Sequence, residues 1–419
     1  MPVTATRVAS THPPPPSSAA DGEYHVFARL SMPERDYVRG MRKRERVALT
    51  RVLEPRKRER DGGGPVPLRI RVLQSALPPP LRLAIFNKLQ AGACAKYLEW
   101  VEKALQLPLD VRAPAIDPVH MPVGTCVARA RAALDASITG HAVAKCEVLK
   151  LVCQARLGGT CASSYALGLE GPPGTGKTHF VKTAMARALG RPLVTIPLGG
   201  ATDISYLLGS VYTYEGSKEG RLAAALVETG CSDPIVHFDE VDKISTTDRG
   251  QEIVSTLIHL VDPSANAALR DRYLHDIDLD FSRCAFVFTY NDPSRVHPVL
   301  LDRIKRVRVD APTDTERAAI VRDHLVPRAR VRLATQLDLA PAAVELLLQR
   351  ARGGMRGVEK EVDHVLATAQ LYDAVQGEWH AHDVKLLDAQ GRVTGAFAAS
   401  CLGDLDEERA PPPPLGMYL

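Results

Sequence analysis

The sequence predicts an α/β protein that has a doubly wound parallel-sheet core, a helical lid and a helical N-terminal region. Three observations predict this fold class. From about residue 123, short β-rich runs alternate with longer amphipathic segments, which is the pattern of parallel strands joined by crossover helices. One β-rich run leads into a glycine-rich turn that opens a helix. From residue 313 to about 375, the apolar spacing is helical throughout.

The pattern divides the chain into five segments. We expect an extended or disordered leader over 1–22, where four prolines follow one another, and a basic, helical N-terminal region over 23–120. A large α/β domain is predicted over 121–311 and a small helical lid over 312–375. Residues 376–419 are weakly patterned and are expected to form a C-terminal tail.

The individual elements follow from the period of the apolar residues. Strands are predicted at 166–170, 193–197, 235–239, 284–290 and 306–309. The helices predicted between them, at 177–189, 220–228 and 252–260, are long enough to cross over between parallel strands. In the N-terminal region a helix is predicted at 95–107, with Leu98, Val101 and Leu105 on its packing face.

Composition excludes several classes of protein. The chain has 419 residues, 45% of them apolar, so it can bury a large core and is not disordered overall. It contains no run of about 18 uncharged apolar residues and no apolar signal core near its start, so we expect neither membrane insertion nor secretion, and a cytoplasmic location. The eight cysteines are scattered without a C-x-x-C pair, which indicates reduced thiols.

A basic block stands out against the formal net charge of +4. Residues 33–60 hold eleven Arg or Lys against five Asp or Glu. Through residues 35–60 such a block could attract nucleic acid by counterion release, although charge runs are more often solvated helix faces.

The glycine-rich turn is a full G-x-x-x-x-G-K-[ST] match between a predicted strand and a predicted helix. Its glycines let backbone N–H groups converge on phosphate oxygens, and the helix N-terminus adds partial positive charge. The lysine is predicted to reach the β and γ phosphates of ATP, and the threonine to bind Mg²⁺. The predicted phosphate-binding residues are Gly171, Pro172, Pro173, Gly174, Thr175, Gly176, Lys177 and Thr178.

Two carboxylates follow the apolar strand that ends about sixty residues later. At the carboxyl end of a strand beside the phosphate loop, Asp239 is predicted to hold Mg²⁺ through water, and Glu240 to activate the attacking water. His237, within the strand, is expected to be packed in the core. The sequence therefore predicts ATP hydrolysis with Mg²⁺.

From about residue 96 to 369 the chain resembles the AAA+ ATPase portion of the Lon protease family, particularly the protease-less Lon-like ATPases of large DNA viruses. If the chain is viral, its location would be the host cell or the virion. The stretches that carry the resemblance are YLEW at 97–100, Gly140 with His141, LGGATD at 198–203, GSVYTYEGSKEG at 209–220, FDEVDK at 238–243 and LLDRI at 300–304.

The resemblance implies further roles. Asn291 matches the sensor that orients water beside Glu240, and Arg303 matches the arginine finger that reaches the nucleotide of a neighbouring subunit, so that the active enzyme is a ring of identical chains, most simply a hexamer. Arg356 matches the lid arginine that senses nucleotide in the same subunit. Residues 138–142, with Gly140 and His141, match the segment that holds adenine.

The resemblance also implies a polypeptide substrate. Tyr214 matches the pore-loop aromatic residue that grips an unfolded polypeptide, and Glu215 stands where bacterial members carry an apolar residue. Lon peptidase activity needs a further C-terminal domain, whereas 44 residues follow residue 375 here, so peptidase activity is not expected. There is also no H-E-x-x-H or G-x-S-x-G motif, and His380 with His382 lacks an evident third metal ligand.

Three functions are compatible with these features. The first is a motor that remodels, unfolds or translocates polypeptide, with a separate protease as an optional partner. The second is a nucleic-acid-directed AAA+ ATPase, of the clamp-loader or helicase-assembly type, that uses the basic N-terminal region. The third is a non-hydrolysing nucleotide-dependent scaffold, against which the set of Lys177, Glu240, Asn291 and Arg303 argues.

Overall fold

The computed structural model describes Gly40 and residues 66–113, 121–157, 165–214, 216–350, 354–374 and 385–408. The predicted leader, most of the basic block at 35–60, Glu215 and the two histidines at 380 and 382 lie outside these ranges. The chain separates into two compact units: one ends at Asp110 and includes Tyr273–Ile277, and the other comprises Val111–Arg272 and Asp278–Leu419.

The first unit contains helices α1 (Leu68–Gln74), α2 (Pro79–Ala91) and α3 (Ala95–Gln106). The predicted packing face of α3 is correct for Val101, which is buried, but wrong for Leu98, which is 38% exposed. Trp100 is buried instead, because its indole N–H donates to the carbonyl oxygen of Tyr273 at 2.8 Å and so needs no water.

The second unit is built on a parallel sheet of five strands, which confirms the predicted fold class. The strands are β1 (Tyr165–Glu170), β2 (Leu193–Pro197), β3 (Ile235–Asp239), β6 (Ala285–Tyr290) and β7 (Lys305–Arg308), in the order β2-β3-β6-β1-β7. All six residues of β6 are buried because helices cover both faces of the sheet. Two short strands, β4 (Leu269–Arg270) and β5 (Asp278–Leu279), form a separate antiparallel pair.

Helices cover the sheet and connect its strands. α4 (Val123–Ser137) and α5 (Ala142–Arg156) precede β1. A continuous helical run, α6, extends from Lys177 to Leu189 between β1 and β2, with π geometry over Phe180–Met185. α7 (Ser205–Leu208) and α8 (Arg221–Thr229) lie between β2 and β3, α9 (Asp248–Val261) follows β3, and α10 (Pro298–Arg303) precedes β7.

A helical bundle follows the sheet. It begins with α11, a run of three segments, Asp314–Ile320, Val321–Leu325 and Val326–Leu333, of which the middle one has π geometry. Thr313 and Glu316 form a capping box at its start. The bundle continues with β8 (Asp338–Leu339), α12 (Pro341–Arg350) and α13 (Met355–Ala374), and its core is apolar.

Part of the predicted tail is folded onto this bundle. β9 (Arg392–Val393) pairs in parallel with β8, and α14 (Gly395–Glu408) buries Phe397 and Cys401 in the same core as α13. The sequence pattern had indicated no element there. The five-segment division remains a prediction. Among the helices that the structure describes, none is both long and apolar enough to cross a membrane.

Candidate active site

The glycine-rich loop joins the end of β1 to the start of α6. Gly174 and Gly176 adopt left-handed backbone conformations, with φ of 81° and 89°. Gly171 has φ of 155°, and a Cβ on it would overlap the carbonyl oxygen of Val309. Glycine is therefore required at this position by backbone strain and by the close approach of another chain segment.

Helix α6 begins directly after this loop. Its capping residue is Gly176, and no side-chain hydrogen bond caps the helix. The first N–H groups of a helix lack partners within the helix, and they carry partial positive charge. Loop and helix start together form a suitable cradle for phosphate oxygens.

Lys177 lies across the loop rather than in solvent. Its Nζ donates to the carbonyl oxygens of Gly171 (2.6 Å) and Pro172 (2.8 Å) and to Oδ1 of Asn291 (2.9 Å). The residue is only 7% exposed, and burial lowers the pKa of its amine, while Asp242 and Asp239 act in the opposite direction. An ammonium group is thus held where the phosphate cradle opens, beside Asn291, which directly follows β6.

Asp239, at the end of β3, lies beside the hydroxyl of Thr178. Thr178 Oγ1 is 3.3 Å from Asp239 Oδ2. The other carboxylate oxygen, Oδ1, accepts from Thr289 Oγ1 at 2.5 Å and from the backbone N–H of Glu240 at 3.1 Å. Because hydroxyl and carboxylate oxygens are the hard ligands that Mg²⁺ prefers, this pair fits the predicted metal.

Glu240 occupies a strained position. It has φ of 59°, uncommon for a residue with a side chain. Its carboxylate accepts from Lys243 Nζ at 2.5 Å and lies against Gly199, where a Cβ would collide with Oε2. The turn therefore aims the carboxylate towards the loop that follows β2.

Asn291 is positioned by a residue that the sequence prediction missed. The backbone N–H groups of Asn291 and Asp292 donate to Oδ2 of Asp242, at 3.2 and 3.3 Å. Asp242 is only 5% exposed. Its place three residues after Asp239 in FDEVDK was the available signal.

Most of these residues line one cavity of about 490 Å³. The predicted site residues that line it are Pro173, Gly174, Thr175, Gly176, Lys177, Thr178, Asp239, Glu240, Asn291, His141 and Arg356. Gly171 and Pro172 are outside the lining but accept hydrogen bonds from Lys177. Gly140 is also outside it and has φ of 76°, with Glu316 close enough that a Cβ would clash.

The lid contributes residues that sequence reasoning did not assign. His324 and Arg328 of α11 and Glu359 of α13 line the cavity. Nε2 of His324 shares a hydrogen bond with Thr139 Oγ1 at 3.2 Å, which ties the lid to the segment predicted to hold adenine. Burial lowers the pKa of His141, and that of His179 as well.

Comparison with known proteins agrees with this geometry. Residues 167–310 match the model of the AAA family, the ATPase family associated with various cellular activities. The Lon protease of Salinispora arenicola (strain CNS-205) is 35% identical over 291 residues, which cover 66% of this chain and 36% of that protein. The chain carries a Lon-family AAA+ ATPase module.

Two further relatives support the assignment. The Lon protease homolog of Acanthamoeba polyphaga mimivirus is 31% identical over 244 residues, or 57% of this chain and 24% of the relative. The mitochondrial Lon protease homolog of Mus musculus is 34% identical over 257 residues, or 60% and 27%. The chain thus spans between 24% and 36% of the length of these curated relatives.

Arg303 and Tyr214 also lie outside the cavity lining. Arg303, the last residue of α10, pairs with Asp262, and its side chain is 37% exposed. Hydrogen bonds from Ser264 and Arg303 hold the pKa of Asp262 far below its usual range. Tyr214 is 69% exposed, on the loop between α7 and α8.

Buried polar side chains extend below the site. His237 is fully buried in β3, and burial lowers its pKa to about 4. The prediction that it is packed in the core is correct, yet both of its ring nitrogens also make hydrogen bonds, to threonines of β2 and β6.

Proposed function

We propose that the Lon-family module binds ATP and Mg²⁺ in this cavity, hydrolyses ATP within a ring of identical chains, and uses the cycle to unfold or translocate polypeptide. One observation carries the proposal. Lys177 and Thr178 of the phosphate loop meet Asp239, at the end of β3, and Glu240 and Asn291, which directly follow β3 and β6, in one cavity at the carboxyl edge of the sheet.

The loop residues bind and orient the triphosphate. Backbone N–H groups of the loop and the start of α6 donate to phosphate oxygens, and Lys177 exchanges its carbonyl partners for the β and γ phosphates. Thr178 and Asp239 would hold Mg²⁺, which supplies positive charge to the phosphate oxygens.

Glu240 and Asn291 act on water. A water molecule attacks the γ-phosphorus, its oxygen forms the new bond, and the bond to the β–γ bridging oxygen breaks, so that ADP leaves. Glu240 accepts the proton of that water, and Asn291 beside Lys177 orients it. Arg356 of the lid lines the cavity, where its guanidinium would contact the phosphates of bound nucleotide. Through this contact the lid would sense that nucleotide is bound in the same chain.

Arg303 supports the ring. It lies outside the cavity of its own chain and is partly exposed, so an arginine finger at this position would serve a neighbouring chain. A hexamer is the assembly we propose. Tyr214 is an exposed aromatic residue on a loop, which suits contact with an unfolded polypeptide. Peptide-bond cleavage is not part of the proposal, and a separate protease is an optional partner.

The proposal is tested by steady-state ATP turnover, measured alone, with an unfolded protein such as reduced, carboxymethylated lactalbumin, and with single-stranded DNA. We expect stimulation by the unfolded protein, and that protein should remain uncleaved. In Tyr214→Ala, basal turnover should persist while stimulation is lost. Val331→Ala, which truncates an 84% exposed apolar side chain outside this loop, is the matched control and should behave as wild type.

Other outcomes would overturn parts of the proposal. Stimulation by DNA alone would contradict the polypeptide motor and favour the nucleic-acid-directed ATPase. Residues 35–60 would then be the expected DNA-binding segment. Cleavage of the unfolded protein would show peptidase activity. Nucleotide binding without turnover under every condition would favour the scaffold.

A further inference from the structure

A line of hydrogen-bonded side chains crosses the sheet below the candidate metal site. It begins at Thr195 of β2, whose Oγ1 is 3.3 Å from Nδ1 of His237, its register partner in β3. Nε2 of His237 is 2.9 Å from Thr289 Oγ1 of β6. Thr289 in turn donates to Asp239 Oδ1 at 2.5 Å.

The hydrogens in this line can run in only one direction. A carboxylate accepts and cannot donate, so Thr289 gives its single hydrogen to Asp239. The carbonyl oxygen of Phe238 also lies 3.4 Å from Thr289 Oγ1, but the shorter, charge-assisted bond to Asp239 is stronger. Thr289 must therefore accept from His237, which requires a hydrogen on Nε2.

The direction of the bond between His237 and Thr195 follows from this hydrogen on Nε2. In the neutral ring, a hydrogen on Nε2 leaves Nδ1 as an acceptor, and the hydroxyl of Thr195 donates to it. Burial of an imidazole without partners is costly, whereas here both nitrogens are satisfied. His237 is thus fixed in one tautomer and one ring orientation, and it cannot be exchanged for an apolar residue without changing the hydrogen bonds of Thr289.

The direction of the bonds distinguishes the two oxygens of Asp239. Oδ1 accepts from Thr289 Oγ1 and from the N–H of Glu240. Thr178 Oγ1 lies 3.3 Å from Oδ2 and 3.5 Å from Oδ1, so Oδ2, which has no other hydrogen bond among the described residues, is the nearer oxygen. We infer that His237 is a positioning residue: by keeping Thr289 as a donor to Oδ1, it holds Oδ2 towards Thr178 and the Mg²⁺ expected there. This inference rests on the metal site of the proposed function.

The first test is the Mg²⁺ dependence of nucleotide binding, measured with a fluorescent non-hydrolysable ATP analogue. Partners that hold a metal ligand affect metal affinity by about 10–100-fold, so Thr289→Val should raise the Mg²⁺ concentration at half-saturation by about tenfold. His237→Leu, one step further away, should raise it in the same direction but by a smaller factor. Binding in EDTA should not change.

Two variants separate positioning from packing. His237→Gln keeps an N–H donor near the position of Nε2 and should restore nearly wild-type Mg²⁺ dependence. Thr256→Val removes a buried hydroxyl of α9 that donates to the carbonyl oxygen of Glu252 at 3.0 Å, away from this line, and should leave the Mg²⁺ dependence unchanged. Equal Mg²⁺ dependence in wild type, His237→Leu and Thr289→Val would overturn the inference.

The second test is made on the wild-type protein without nucleotide. Long-range ¹H–¹⁵N NMR of the histidine rings reports which nitrogen carries the hydrogen, and His237→Gln assigns the signal. We expect a hydrogen on Nε2 and none on Nδ1; the opposite tautomer would overturn the inference. If wild-type protein bound no nucleotide with or without Mg²⁺, the proposed function would fail, while the tautomer would still decide the inference.

Discussion

Gly199→Ala tests whether the carboxylate of Glu240 is positioned for catalysis. A Cβ on Gly199 would fall well inside contact distance of Glu240 Oε2, the far end of a flexible side chain. Ordinary contact begins near 3.4 Å, so the carboxylate would have to move by about 1 Å. Gly199 is not among the glycines with positive φ, so the alanine backbone itself is unstrained.

The expected effect falls on turnover and not on binding. A displacement of about 1 Å in a catalytic group can cost about 100-fold in rate, so kcat should fall by about 10- to 100-fold. The affinity for ATP should stay unchanged, because the proposed phosphate-binding groups are in the glycine-rich loop and not at Glu240. Gly124→Ala, at a helix position with nothing within 4 Å of the added Cβ, is the control and should keep full activity. Unchanged kcat in Gly199→Ala would refute the position assigned to Glu240.

Three further substitutions test the phosphate loop and the proposed ring. Lys177→Ala should abolish nucleotide binding in equilibrium titrations while the melting temperature stays near that of wild type; retained binding would contradict its role. Gly171→Ala should also lose binding, because the loop must move away from the carbonyl oxygen of Val309. Arg303→Ala should bind nucleotide without turnover, and mixing it with Glu240→Gln should restore some turnover. If the mixture stays inactive, Arg303 does not act between chains.

The sheet was predictable because its signals are local. Short β-rich runs are followed by helices of sufficient length, and the glycine-rich loop marks one strand end without ambiguity. Predicted strand ends therefore agree with the structure to within one residue. α14 was missed because half of its sequence, GAFAASCLGDLDEE, consists of Gly, Ala, Ser or Cys, and its burial depends on contact with α13.

The site residues also divide into those that a local motif predicts and those that it does not. Lys177, Thr178, Asp239 and Glu240 stand in contiguous motifs, so their chemistry can be recognised from residue spacing. The other contributions depend on tertiary structure. Thr289 reaches Asp239 only through the register of β3 against β6, and His324 reaches the cavity only because the lid folds over it. Neither relation leaves a pattern in the sequence.

Steady-state ATP turnover of wild type and Glu240→Gln, with nucleotide binding measured on the same preparations, tests the central claim most directly. The site geometry predicts that both proteins bind ATP with similar affinity and that only the wild type turns it over, because the glutamine amide cannot accept the proton of the attacking water. Equal turnover in the two proteins would contradict the assignment of Glu240, and with it the proposed mechanism.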